Sequence, residues 1–366
     1  MSRSPATAPP VASDLVTRAR ARSALTPVSF FSPDLDFAEV ESLSPDRDWR
    51  YFGGNTHRIW IAQTYLRLRE AGYPVRLVDT LPAEGVLVVE GSSRRALVRQ
   101  FTAQNRALIV AVRADHRPQL YADLEVVQND YYANGQSRFF VSHWPQPGIV
   151  PRDAGRGGEV RNVSFKGHAG CLHSDFQDRR WREFLTQQGL GWHFDGVQWH
   201  GALSRYDDCA WSDYSQTDVV IAVREDWNDR YLGKPASKLV NAWLAGVPAV
   251  VGPDYAFSAQ RRSELDFIQV GSLAEAMGAV RRLRGDPALY AAMAANGLQR
   301  GRELTPERVT DDWARLLFER GQSLAEARSR ERFRVFGWWS KLALHRAQRL
   351  LPAIRARRRR RVEAGK

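Results

Sequence analysis

Short apolar runs alternate with amphipathic helical patterns along most of the chain. In the first half the runs of strand length are WRYF, PVRLVD, GVLVVEG, ALIVAVRAD, LEVVQND and RFFVSHW. Between the first two, THRIWIAQTYLRLREAG repeats apolar residues at helical spacing and ends in Gly72, with GGN as the preceding turn. The alternation predicts a parallel sheet whose strands are joined by helical crossovers.

A second series of the same kind follows a break that is rich in proline and glycine. The break is HWPQPGIVPRDAGRGGE, residues 143–159, and it indicates a linker. Beyond it, the runs VRNVSFKGH, GWHFDG, DVVIAVRED, VPAVVGP and ELDFIQV alternate with helical patterns. Thr305 before Pro306 predicts a capped start for the last of these helices. The pattern therefore predicts an α/β protein built from two consecutive units of similar size.

We expect four parts along the chain. They are a disordered leader (residues 1–30), an N-terminal domain (31–150), a C-terminal domain (151–325) and a basic tail (326–366). The leader contains Arg, Ser and Ala but no apolar core segment, so it is not expected to be a secretory signal. No apolar run has the length needed to cross a bilayer.

Charge is concentrated at the two ends of the 366-residue chain, whose formal net charge is +12. From residue 326 onward there are 14 basic and three acidic residues, and the first thirty residues hold four basic and one acidic. The body is therefore nearly neutral, and the high isoelectric point describes the ends. Cys171 and Cys209 lack metal-ligand spacing, which favours a reducing, cytoplasmic environment.

Lysine is rare here, yet two of the five lysines open one predicted helix in GKPASKLVNAWLAGVPAVVGP, residues 233–253. Gly246 suits the end of that helix, and Pro235 or Ser237 its start. The start should lie at the carboxyl edge of the sheet, where helix N-termini bind phosphate. Lys234 and Lys238 lie four residues apart, so an anion between them would relieve their repulsion. The alternative is a solvated helix start with ordinary surface lysines.

Two further loops should reach the same edge of the second sheet. SFKGH carries Lys166 after the first strand of that unit, and AVRED carries Arg224 after a later strand. Together with Lys234, Lys238 and the Ser237 hydroxyl, they predict a diphosphate-binding site.

This second half resembles the donor-binding domain of the GT-B glycosyltransferases, which have two Rossmann-like domains facing across a cleft. The resemblance covers about residues 160–320, and its strongest element is KLVNAWLAGVPAVV, similar to segments of the type LLEAMACGTPVV. It implies that Lys166 and either Lys234 or Lys238 hold the donor diphosphate. Asn241 stands where the family commonly has a glutamate bound to the donor ribose. The companion glutamate is replaced by Gly233, which leaves retention or inversion of the anomeric centre open.

Candidate residues in the N-terminal domain give weaker signals. Gly53 and Gly54 lie on the predicted first β-α turn, where glycine lets a backbone approach a ligand. His57 and His143 are candidate bases or hydrogen-bond donors, although ordinary histidine roles favour a structural function for each. Asp34 and Asp36 form an acidic pair outside any sheet unit, and we expect neither a metal nor another cofactor.

The tail predicts an amphipathic helix with an arginine-rich end. Apolar residues recur at helical spacing at Phe336, Trp339, Ala343, Ala347, Leu350 and Ile354. Such a helix suits an anionic membrane surface. The alternatives are that Trp338 and Trp339 pack on the body, or that the arginines bind nucleic acid, which the neutral body and the absence of a base-reading motif disfavour.

These features together predict a metal-independent glycosyltransferase of the hexosyltransferase type. It would transfer a sugar from a nucleotide-diphosphate donor to a carbohydrate or lipid-linked acceptor in polysaccharide or glycoconjugate synthesis. It would be cytoplasmic, with the tail at the inner face of the membrane. Two alternatives stay open, a nucleotide-sugar epimerase of the same fold and a non-catalytic protein that binds nucleotide sugars or RNA.

Overall fold

The protein contains two parallel sheets flanked by helices. The computed structural model describes residues 10–53, 55–102, 105–197, 210–228, 231–328, 339–344 and 346–347. The first sheet contains β1 (Val28–Phe31), β2 (Val75–Val78), β3 (Val86–Glu90), β4 (Leu108–Val112), β5 (Leu124–Val127) and β6 (Arg138–Phe140). Its order is β2-β1-β3-β4-β5-β6, and every pairing is parallel.

The second sheet is built in the same way. It contains β7 (Asn162–His168), β8 (Gly191–Val197), β9 (Val219–Ala222), β10 (Ala249–Val251) and β11 (Ile268–Gln269). Its order is β11-β10-β9-β7-β8, again with parallel pairings. In each sheet the second strand lies on one side of the first and the later strands on the other. This is a doubly wound order, whose reversal point between β1 and β3 or between β7 and β9 is where open α/β sheets bind ligands.

Helices connect the strands and cover both sheets. They are α1 (Pro10–Ser23), α2 (Phe37–Ser42), α3 (Gln63–Glu70), α4 (Arg94–Gln100), α5 (Arg179–Gln187), α6 (Ser237–Leu244), α7 (Tyr255–Ser258), α8 (Leu273–Gly285), α9 (Pro287–Gly301), α10 (Pro306–Ala314) and α11 (Gln322–Arg328). A π-helical segment (Arg58–Ala62) precedes α3, and another (Arg315–Gly321) joins α10 to α11. The predicted cap is confirmed, because the Thr305 side chain accepts a hydrogen bond from the Arg308 amide.

The prediction that residues 1–30 form a disordered leader is wrong for residues 10–30. They form α1 and β1, and β1 is an interior strand of the first sheet that pairs with both β2 and β3. Leu15 and Ala19 of α1 are buried in the core of that domain. The sequence indicated disorder because this segment is rich in arginine. In the structure, arginines of α1 have partners on other elements; Arg22, for example, forms an ion pair with Glu326 of α11.

The segment WRYF is not a strand. Residues Trp49–Phe52 form a 3₁₀ helix. The strand that precedes the first long helical segment is therefore β1, and the connection between them is longer than the sequence indicated. Local hydrogen bonds favour the turn, because the Ser44 amide donates to the Asp48 side chain at 2.8 Å and the Asp48 amide donates to the Ser44 carbonyl. Trp49 packs so closely on Gly148 of the linker that a Cβ there would lie 2.5 Å from the indole.

The C-terminal helices return to the first domain, so the expected boundary at residue 325 does not describe the packing. Residues of α10, the π-helical segment and α11 share one core with the first sheet. The ring of Phe318 stacks on that of Tyr73 with 5.0 Å between centroids. The amphipathic pattern of these helices indicates a buried face but not which domain covers it.

The described part of the tail also packs on the first domain. Residues 339–344 are helical, Leu342 is buried in the core on one face of the first sheet, and Lys341 forms an ion pair with Asp123 at 2.9 Å. Trp339 meets Phe101 edge to face, whereas Trp338 and residues 348–366 lie outside the described residues. None of the helices within the described ranges combines the length and apolar character needed to span a membrane.

The linker is fastened to the second domain by a buried ionic cluster. Asp218, which precedes β9 and has no exposed surface, accepts hydrogen bonds from the Arg152 and Arg156 side chains at 2.6–2.8 Å. It also accepts from the amides of Arg161 and Asn162, both at 2.8 Å. Because these partners stabilise the carboxylate, the pKa of Asp218 is lowered despite its burial.

We predict that Asp218→Asn lowers the free energy of unfolding by about 3–5 kcal/mol, because it leaves two buried guanidinium groups without their counter-ion. Urea unfolding at neutral pH measures the loss. Glu264→Gln, which removes an exposed partner of Arg261, serves as the control and should change little. A loss below about 1 kcal/mol for Asp218→Asn would contradict the role of the cluster.

Candidate functional site

A cleft lies between the two domains at the carboxyl edges of their sheets. It has a volume of about 300 Å³ and is lined from both sides. The lining includes most of the residues singled out from the sequence, namely Gly53, His143, Lys166, Arg224, Lys234, Ser237, Lys238 and Asn241. The fold thus brings together residues that are up to 188 positions apart in the chain, from Gly53 to Asn241.

Helix α6 points its start at the cleft. The helix begins at Ser237, after Ala236 as N-cap without a side-chain hydrogen bond, and Gly246 with a φ of 68° follows its end as predicted. The first amide groups of a helix lack intrahelical partners and carry the positive end of its dipole. Lys234 and Pro235 lie before the helix, so the predicted shared helical face of Lys234 and Lys238 is wrong.

Lys238 supplies to the cleft a positive charge that is unpaired among the described residues. Within the described chain it forms no ion pair, and its ammonium lies 5.8 Å from the centre of the Phe165 ring. Burial and the nearby Arg224 charge lower the pKa of Lys238 to about 8. The side chain passes over Gly167, where a Cβ would lie 2.7 Å from Cε of Lys238. Gly167 also has a φ of 147°, a backbone conformation that favours glycine.

Lys166 and Arg224 stand at the two strands that flank the reversal point of the second sheet. Lys166 of β7 forms an ion pair with Asp195 at 2.6 Å, and Arg224 after β9 forms one with Asp254 at 2.5 Å. The sequence pattern indicated these cations but gave no sign of the carboxylates opposite them. The two pairs are neutral as a unit, and they leave the unbalanced positive charge to Lys238.

Lys234 contacts the other domain. Its ammonium lies 2.8 Å from Oδ2 of Asp115, which follows β4 and also lines the cleft. Partial desolvation in the cleft would raise the pKa of Asp115, but the positive charge of Lys234 outweighs it and the pKa is lowered. Sequence reasoning missed Asp115, although it stands at the end of ALIVAVRAD, a position that reaches the carboxyl edge of the sheet.

The two candidate histidines occupy different environments. His143 lines the cleft, and its Nδ1 lies 2.7 Å from the Trp144 carbonyl oxygen, so Nδ1 carries the proton and Nε2 keeps its lone pair. Burial lowers the pKa of His143 and favours the neutral ring. His57 is engaged at both nitrogens instead, with Ser32 Oγ at 3.0 Å and Ser92 Oγ at 2.9 Å.

The His57 contacts belong to a network around Glu90 that the sequence did not reveal. Glu90 ends β3, is fully buried, and lies 2.8 Å from His116 Nε2 and 3.4 Å from His57 Nε2. The Ser92 hydroxyl and amide both donate to the same carboxylate. This network fixes the loops after β1, β3 and β4 at the first-domain side of the cleft.

The remaining candidates contribute backbone contacts. Oδ1 of Asn241 accepts a hydrogen bond from the amide of Gln146 in the linker at 3.2 Å. Gly53 lines the cleft at the end of the 3₁₀ helix, and Gly54 lies outside the described residues. Across the described ranges, no cluster of three or more His, Cys, Asp or Glu side chains is arranged to hold a metal ion.

Comparisons with known proteins identify the fold. No protein-family model matches the chain, and no curated protein sequence matches it. Among solved structures, the sucrose-phosphate synthase of Thermosynechococcus elongatus is similar over 80% of this chain and 98% of its own, with a TM-score of 0.51 and 13% identity. Two parallel-sheet domains in this arrangement constitute the GT-B fold.

Two further solved structures are similar with TM-scores below 0.5. AviGT4, a glycosyltransferase involved in avilamycin A biosynthesis, is 13% identical over 81% of this chain and 98% of its own, with a TM-score of 0.49. TarM is 10% identical over 71% of this chain, with a TM-score of 0.48. The chain spans 59% of the length of TarM.

We predict that Lys238→Met stabilises the protein at pH 7 and that the gain disappears at high pH. The pKa of Lys238 is about 8 in the folded protein, against 10.5 for an ordinary lysine such as that of the unfolded chain. Between these two pH values the unfolded chain therefore binds more protons than the folded protein. The charge therefore opposes folding below pH 8, and this penalty is lost as the pH rises towards 10.5. Urea unfolding of both proteins at pH 7 and pH 10 tests this, and an equal difference at the two pH values would contradict it.

Proposed function

We propose that the protein is a glycosyltransferase that transfers a hexose from a nucleotide-diphosphate-sugar donor to a carbohydrate or lipid-linked acceptor, in polysaccharide or glycoconjugate synthesis. One observation carries the proposal: Lys238, without a counter-ion among the described residues, stands at the start of α6 and faces the cleft between two doubly wound sheets. An unbalanced cation combined with exposed helix amides is a site for a phosphate group.

In this proposal the donor diphosphate binds at the start of α6. The Lys238 ammonium, the Ser237 hydroxyl and the first amides of the helix would contact the phosphate oxygens. These groups are held in place before the reaction, so they would stabilise the negative charge that develops on the departing diphosphate. The same groups supply positive charge without a divalent ion, which supports a metal-independent reaction.

The acceptor would bind on the first-domain side of the cleft. His143 is suited to receive a hydrogen bond, or a proton, from an acceptor hydroxyl, because its ring is neutral and its Nε2 has a free lone pair. His57 would have a supporting role instead, since both of its ring nitrogens are already hydrogen-bonded. Asn241 lines the cleft three residues beyond Lys238, where it could contact the donor ribose.

Calorimetric titration with UDP-, GDP-, TDP- and CMP-sugars tests the donor site. We expect one base to bind, and Lys238→Ala to weaken its affinity by about tenfold to a hundredfold, because a charge-assisted hydrogen bond is lost. Gly167→Ala should weaken binding as well, since the added Cβ displaces the Lys238 side chain. Arg179→Ala, which removes an exposed cation of the same domain, is the matched control and should leave affinity unchanged.

Equal affinities of wild type and Lys238→Ala would contradict the site. Incubation of the bound nucleotide sugar without an acceptor then separates the alternatives. An altered sugar still attached to the nucleotide would indicate an epimerase, and binding with no turnover for any acceptor would indicate a non-catalytic binding protein. The non-catalytic alternative stays open because Gly233 stands where the GT-B glycosyltransferases commonly have a glutamate.

We further propose that the tail holds this protein at the cytoplasmic face of an anionic membrane. Leu342 and Lys341 fasten the tail helix to the first domain, while Trp339 and Leu344 keep 45% and 59% of their surface exposed. A tryptophan and a leucine that are followed in the sequence by an arginine-rich segment, residues 355–361, are suited to the interface of an anionic bilayer.

Co-sedimentation with vesicles tests the membrane proposal. We expect the full chain to sediment with mixed phosphatidylglycerol and phosphatidylcholine vesicles but not with phosphatidylcholine alone. A chain ending at Ala347 removes the arginine-rich segment, keeps the packed Leu342 and should lose the binding. Trp339→Ser should weaken it. Unchanged sedimentation of the shortened chain would overturn the proposal.

A further inference from the structure

Two strained backbone positions lie beside one contact between the domains. Among the described residues other than glycine, Ala114 and Tyr231 are the two with positive φ, at 45° and 40°. Ala114 immediately precedes Asp115, and Tyr231 begins the turn that ends at Lys234, whose amide donates to the Tyr231 carbonyl at 3.0 Å. Such positions persist where the surrounding structure enforces them, and they concentrate at functional sites.

The contact itself is the ion pair between Asp115 and Lys234. Oδ2 of Asp115 lies 2.8 Å from the ammonium, and Oδ1 accepts a hydrogen bond from Nε2 of the Gln128 side chain at 3.2 Å. Asp115 keeps 55% of its side chain exposed and Lys234 keeps 32%, and both line the cleft. A ligand in the cleft can therefore reach both members of the pair.

The backbone that carries Lys234 is held separately from its side chain. Nδ2 of Asn129, two residues beyond the end of β5, donates to the carbonyls of Leu232 and Lys234 at 2.7 and 2.9 Å. The turn of residues 231–234 thus stays docked on the first domain when the Lys234 ammonium changes partner. Since the turn leads directly into α6, that ammonium stays beside the phosphate site at the start of the helix.

We propose that Asp115 is an internal competitor of the donor diphosphate. In the free protein its carboxylate neutralises Lys234, and an incoming diphosphate takes its place on the ammonium. This inference rests on the proposed donor site. Of the described residues that line the cleft, Asp115 carries the one carboxylate. The exchange releases that carboxylate on the acceptor side, where an acceptor hydroxyl can donate to it.

Binding of inorganic pyrophosphate tests the exchange, because this probe does not depend on the identity of the base or sugar. Calorimetric titration compares wild type, Asp115→Asn, Lys234→Ala and the double variant. We expect Asp115→Asn to tighten binding by up to about fivefold, the upper end of what exposed ion pairs contribute, and Lys234→Ala to weaken it. In the Lys234→Ala background, Asp115→Asn should have no effect, because there is no ammonium to release.

Glu183→Gln removes one negative charge from an exposed ion pair of α5 and is the matched control for net charge. Weaker binding by Asp115→Asn would overturn the inference, since it would make Asp115 a contributor to the site. If Asp115→Asn tightens binding equally in the wild-type and Lys234→Ala backgrounds, or if Glu183→Gln tightens it as much, the cause is a long-range charge effect and the exchange is overturned. If wild type binds pyrophosphate and Asp115→Asn has the same affinity, only this inference fails. Wild type that does not bind pyrophosphate overturns the proposed donor site as well.

Discussion

The candidate site depends on a cation kept beside the start of a helix without a carboxylate partner among the described residues. Lys238 reaches this position because Gly167 has no side chain in its path, and because α6 begins at Ser237 and not earlier. Desolvation and the neighbouring Arg224 disfavour its charge. A folded protein that retains such a group keeps it at a cost in stability, which an anionic ligand would offset.

The other charged groups of the cleft make this arrangement possible. Lys166 and Arg224 are each neutralised by a carboxylate of the second domain, whereas Lys234 is neutralised by Asp115 of the first. Only the last of these pairs joins the two domains. Charge balance and domain arrangement are therefore linked at one contact, and the backbone strain at Ala114 and Tyr231 lies on either side of it.

The strands and the cations of the cleft could be predicted from the sequence, whereas the groups that pair with those cations could not. Apolar runs located β2 to β11, and strand-end loops with a helix start brought Lys166, Arg224 and Lys238 to one cleft. The strand β1 was missed because VSFF is short and follows an arginine-rich segment. Asp115 and the Glu90 network could not be assigned, because a strand-end acid shows its partner only when a distant part of the chain is folded beside it.

The return of α10 and α11 to the first domain means that the polypeptide passes between the two domains twice, once in each direction. One passage is the linker that Asp218 fastens, and the other lies between α9 and α10. Ile149 of the linker and Leu304 of the second passage pack against the same hydrophobic cluster of the second domain. Two covalent connections anchored on one cluster favour hinge bending of the lobes over sliding of one lobe across the other.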